Sequence, residues 1–264
     1  MDSFLYAYTC ELENKWHEID LLIEKAYEFQ ETDAQFHNIL CRSASVLITA
    51  QLEGFTKSML RSVINDLNRS ISFNELPIAI KRTYSQKYIP IVDGLNNKQH
   101  SNQLNKLIEK FNEINCDLEH QPFFVSKNKN PSPNLINTVY RNLGIKDIFH
   151  CLNESKYDEV FSSSKNELEI ILRELRELIP LEIKNFPYTP HLDNCNLEVL
   201  KSHGRTLWED FLDEINQRRH AIAHGNDFNN NRSVSELEED KLKAQIFELS
   251  CLRILSKYLI SNRS

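Results

Sequence analysis

Five glycines in 264 residues leave this chain few places to turn tightly. A β-rich protein of this length would need more of them for its hairpins, so the scarcity favours long helices. The apolar pattern agrees. Ile48, Leu52, Phe55, Met59, Val63 and Leu67 recur at steps of three and four, which is one face of an α-helix. That helix is predicted from Thr32-Asp33 to about Leu67. A mid-helix Gly costs roughly 0.5–1 kcal/mol relative to Ala. Gly54 is therefore expected where another helix comes close. Glu53 sits beside it, off the stripe.

The rest of the chain repeats the pattern. A first helix is predicted over about 3–30, through Leu5, Leu12, Trp16, Ile19 and Ile23. Helical pieces follow around 75–92 and 101–115, with a polar loop over 115–133. Ser132-Pro133 opens a short helix that Gly144 ends. Residues 166–179 are amphipathic, and Pro180, Pro187 and Pro190 then punctuate a connector. A helix over Thr206 to His224 stops at Gly225. Ser233-Val234-Ser235-Glu236 resembles a capping box opening a last helix to about Ile260. Two long early helices and two long late ones make an all-α antiparallel bundle the economical fold. Residues 1–264 read as a single domain, with 70–204 a less regular helical insertion.

The net charge is −7. Proteins that grip nucleic acid through its backbone usually show a basic surface, so any polyanion site here needs a local positive field. Arg218, Arg219, Lys201 and Arg205 are the cations available for it. The six cysteines form no CxxC pair and read as free thiols in a reducing compartment. Apolar runs are too short for a membrane span, and the N-terminus lacks a basic-then-apolar leader. The chain is expected to be cytoplasmic, with no membrane partner. No Walker loop, dinucleotide fingerprint or nucleophile elbow occurs. The seven histidines outside the string described next show no paired metal-ligand spacing. No metal or cofactor is expected.

The most informative string is Gln217-Arg218-Arg219-His220-Ala221-Ile222-Ala223-His224-Gly225. Arg offers a fixed fork of donors suited to phosphate oxygens. His gives and takes protons near neutral pH. RNA supplies its own nucleophile in the 2′-OH. Residues five apart on a regular helix point about 140° from each other. Either the helix ends early and lets His224 swing round, or the site is composite, built from two copies of this helix. The structural alternative is a plain helix end, with His224 as its cap.

Arg219-His220-x3-His224 resembles the R-x4–6-H signature of the HEPN superfamily, whose active members commonly have Asn, Asp or His after the Arg. Arg42 to Phe55, with its Glu53-Gly54-Phe55, is similar to the long second helix of the toxin-like MAE-type branch. Asn142-Leu143-Gly144-Ile145 is a weaker third match. The resemblance covers most of the chain. It implies a metal-independent endoribonuclease that works as a homodimer with a composite active site, and a toxin or phage-defence role with an antitoxin or regulatory protein as partner. Arg219, His224 and His220 are the catalytic candidates. Arg218, Asn226 and Glu53 are candidates for substrate binding or support, Glu53 by orienting Arg219. The rival readings are a non-catalytic HEPN module that binds RNA, nucleotide or a partner protein, and a helical scaffold without nucleic acid.

Overall fold

The periodic stripes become nine α-helices in the computed structural model, which describes residues 1–89, 97–124, 131–190, 204–225 and 232–261. They are α1 (Phe4–Phe29), α2 (Ala34–Ser70), α3 (Ile78–Gln86), α4 (Asn97–Glu113), α5 (Pro133–Leu143), α6 (Ile148–Asn153), α7 (Lys165–Ile183), α8 (Leu207–Ala223) and α9 (Val234–Ser261). Short 3-10 turns lie at Phe73–Glu75, Gln121–Phe123 and Lys156–Phe161. No strand occurs among the described residues. The chain is all-α, as the glycine count and periodicity require.

Helix α9 is the centre. Every residue from Ala244 to Ser256 is buried, and α1, α2, α6 and α7 pack around it. α1 and α2 form an antiparallel pair. Three buried groups on α9 are each met by a different neighbour. The Trp16 indole of α1 donates to Glu248 at 2.8 Å. Arg253 donates to Tyr157 at 2.8 Å and lies 3.4 Å from Glu182 of α7. Asp240 faces α8, as described below. Burial pushes the Glu248 carboxyl well above the usual range, and the Trp16 donor only partly offsets it.

The end of the bundle holding the start of α1 is tied by Asp66 of α2. Its buried carboxylate accepts from the backbone N–H of Phe4 at 2.8 Å and of Leu5 at 3.0 Å. It also accepts from the Tyr188 hydroxyl at 2.9 Å and from Arg69 at 3.1 Å. Ser3 caps α1 and donates its own N–H to Lys184 O at 2.7 Å. The first turn of α1 leaves N–H groups without intrahelical partners, and Asp66 supplies two of the acceptors from another helix.

Several expectations change. The 75–92 segment is shorter, since a 3-10 turn precedes α3 and α3 ends at Gln86; residues 90–92 lie outside the described residues. The 115–133 stretch is not purely polar: Leu118 and Phe123 are buried. α7 runs through Pro180 instead of stopping there. Pro removes one backbone donor, but buried Ile179 and Ile183 hold the last turn and Ser3 donates to the Ile183 carbonyl at 2.5 Å. α7 also packs on α9 and α1, beside the four long helices foreseen. α6 and the Lys156–Phe161 turn had no counterpart in the periodicity. Cys41, Cys151 and Cys251 are buried free thiols, and Cys10 is an exposed one.

The two glycines singled out separate cleanly. Gly144 ends α5 at φ +108°, and a Cβ there would collide with the Tyr258 hydroxyl of α9 and lie 2.9 Å from Ala79 Cβ. Gly54 is the correction: apart from its own helix, no described residue lies within 4 Å of a Cβ built on it. Among the described residues no helix approaches closely at that point.

Two consequences follow for stability. Gly54→Ala should raise it by about 0.5–1 kcal/mol by removing a helix-interior Gly, while Gly144→Ala should lower it by more than that, measured by urea unfolding. Glu248 binds its proton more tightly folded than unfolded, so above the unfolded carboxyl pKa it costs stability as pH rises, by up to about 1.4 kcal/mol per pH unit. Glu248→Gln keeps an acceptor for Trp16 and loses the titration. The variant should gain on wild type between pH 5 and pH 8, and a constant difference across that range would contradict the assignment.

Candidate active site

Helix α8 begins with a capping box. Thr206 N–H donates to Glu209 at 2.8 Å, and Glu209 N–H donates back to the Thr206 hydroxyl at 3.3 Å. Trp208, Phe211, Leu212 and Ile215 form its buried face, with the Trp208 ring 4.8 Å from Phe161 and 5.5 Å from Phe247. This anchors the first three turns and leaves the last one at the surface. α8 ends at Ala223, His224 is its C-cap, and Gly225 follows at φ +68°. Gly225 is thus the left-handed stop that a helix end favours.

The last turn carries the motif. His224 N–H donates to His220 O at 3.1 Å, so the helical register persists through the cap. Both imidazoles are exposed, and their ring centroids lie 4.2 Å apart, tilted by 54°. His224 does not swing round toward Arg219; it stays over His220. Arg219 is half-buried. On a helix of this regularity, Arg219 and His224 leave the axis about 140° apart.

Arg218 is committed elsewhere. Its Nη1 donates to Asp240 of α9 at 2.6 Å, and its Nε and Nη2 are buried without an acceptor among the described residues. Arg232 closes the same cluster, with Glu214 at 2.5 Å, Glu236 at 2.8 Å and Asp240 at 3.7 Å. Burial pushes the Asp240 carboxyl up, and the Arg218 and Arg232 charges pull it back down. Asp240 was not foreseen. Its signal is a carboxylate on the buried face of a helix, between Leu237 and Leu242, which has to be answered by a cation. The Ser233–Glu236 capping box forms as expected, with Ser233 N–H donating to Glu236 at 2.7 Å. With Arg232 it draws the Glu236 carboxyl down to about 2.

Other candidates fall away from this cluster. Glu53 accepts from Lys57 at 2.6 Å, one turn along its own helix. Thr49 of α2 reaches Ile215 O of α8 at 3.4 Å, and the two helices run in opposite directions. Glu53 and Arg219 lie on opposite sides of that contact, about 12 Å apart along the axes at 1.5 Å per residue. The expected Glu53–Arg219 pair is not formed. Arg205 is bound by Asp210 and Asp213, so it adds no free charge. Asn226 and Lys201 lie outside the described residues.

The all-helical bundle thus carries Arg219, His220 and His224 at one helix end, with both imidazoles exposed. The chain matches the family described as RiboL-PSP-HEPN over residues 11–250, and it belongs to that family. No curated protein and no solved structure matches the chain.

The geometry makes Asp240 a stability residue. Removing one partner of a buried pair typically costs about 3–5 kcal/mol, because the other charge is stranded. Asp240→Ala should fall in that range by chemical denaturation. His224→Ala, at an exposed cap, should change stability by about 0.5 kcal/mol or less.

Proposed function

We propose that this protein is a metal-independent endoribonuclease that acts as a two-fold dimer. The observation that supports it most is the exposed His220–His224 imidazole pair, one residue from Arg219, in a HEPN-family chain. Arg219 and His224 diverge within one helix, so a single chain does not aim both at one phosphate. Two copies of α8 facing across a two-fold axis do.

In this reading His224 takes the proton from the 2′-OH, whose oxygen attacks phosphorus. The 5′-oxygen leaves and takes a proton from the His224 imidazolium of the second copy. The products are a 2′,3′-cyclic phosphate and a 5′-OH end. Arg219 stabilises the charge on the phosphoryl oxygens. His220 orients the phosphate or shares the proton transfer. Arg218, shut in against Asp240, supports α8 and does not touch RNA. Asn226 would follow directly on the motif as a phosphate contact. The biological role in this reading is that of a toxin or phage-defence effector held in check by an antitoxin or regulatory protein.

The second reading is a non-catalytic HEPN module binding RNA, nucleotide or a partner protein. The net charge of −7 and the engagement of Arg205, Arg218 and Arg232 by carboxylates favour it.

Incubation of purified protein with RNA separates the two. Cleavage should proceed in EDTA, leave cyclic phosphate ends, and fall about 10²–10⁴-fold in His224→Ala and by a similar factor in Arg219→Ala. Restoration of an EDTA-blocked reaction by Mg²⁺ would remove the metal-free mechanism. Light scattering should report a dimer at micromolar concentration, and a monomer there would remove the composite site.

A further inference from the structure

We propose that His220 and His224 form a two-imidazole site for a divalent transition-metal ion, and that a bound ion shuts the active site. The second half rests on the function proposed above; the first half does not.

The two residues are four apart on α8, one directly above the other. The His224 N–H to His220 O bond of 3.1 Å holds that register to the end of the helix. The ring centroids are 4.2 Å apart and both rings are exposed. Zinc binds imidazole nitrogen at about 2.0–2.1 Å, so two nitrogens on one ion stand about 3 Å apart. Rings this close reach that separation by side-chain rotation, with no backbone movement. Two His at this spacing on one helical face is the pattern helical zinc sites use. Imidazole suits Zn²⁺, Cu²⁺ and Ni²⁺, while Mg²⁺ and Ca²⁺ take oxygen ligands.

Among the described residues no group of three or more His, Cys, Asp or Glu side chains converges on a metal position. Two imidazoles alone make an open site, with water in the remaining positions, suited to reversible loading. A ring nitrogen that has given its lone pair to a metal cannot accept a proton. An ion held here would therefore remove His224 from proton transfer and leave the fold untouched.

The test is calorimetric titration of the chelator-stripped full chain with ZnCl₂, beside His220→Ala, His224→Ala and Cys10→Ser. Among the described cysteines Cys10 is the exposed one, and so the thiol there most able to compete. Loss of one of two ligands should weaken binding by more than the about 10–100-fold that loss of an outer-shell partner costs. Both His variants should show that loss, and Cys10→Ser should bind like wild type. Unchanged affinity in the His variants overturns the site, whatever the RNA assay gives. RNA cleavage should stop on Zn²⁺ addition and return with EDTA. Full-rate cleavage by the zinc-loaded protein, or no cleavage before zinc is added, leaves the site standing and overturns the shut-off.

Discussion

A helix buried along its length cannot carry a charge without an answer from a neighbour, and α9 is such a helix. Its Asp240, Glu248 and Arg253 lie at three levels of the core. Each is met from a different direction: Asp240 by Arg218 of α8, Glu248 by Trp16 of α1, Arg253 by Glu182 of α7. Apolar packing is tolerant of sliding, whereas a buried ion pair left unmatched is costly. These three contacts fix the height of α1, α7 and α8 against the central helix. The Arg218–Asp240 pair has the further effect of setting which face of α8 turns outward.

The candidate site inherits its geometry from that pairing. Arg218 is drawn inward, and the next positions around the helix carry His220 and, one turn on, His224 to the surface. Arg232, which follows the motif in sequence, lies 3.7 Å from the same Asp240. The motif is thus flanked by two cations whose charge is already spent on carboxylates.

What was legible in the sequence was local. Thr206 as a helix start, Ser233 with Glu236, Gly144 and Gly225 all act within a few residues of themselves, and each stands where the pattern put it. The illegible part is non-local. Glu53 looked poised for Arg219, but the antiparallel register of α2 and α8 sets them on opposite sides of their contact. Gly54 suggested a close helix and has open space instead. Pro180 looked like a stop, yet Ser3, 180 residues before Ile183, holds the turn beyond it. Asp240 was hidden because its partner lies 22 residues earlier, beyond any local window.

The motif stands at the C-terminal end of α8, and that end matters for what it can hold. The peptide dipoles of a helix leave partial negative charge there, while anions are drawn to helix N-termini. A phosphate approaching His224 meets a helix oriented against it. Such a centre cannot rely on its backbone for affinity, unlike the loops that cradle nucleotides. In the proposed ribonuclease, the hold on RNA would have to come from side chains such as Arg219 and from charges brought by a second copy, because this helix end contributes none.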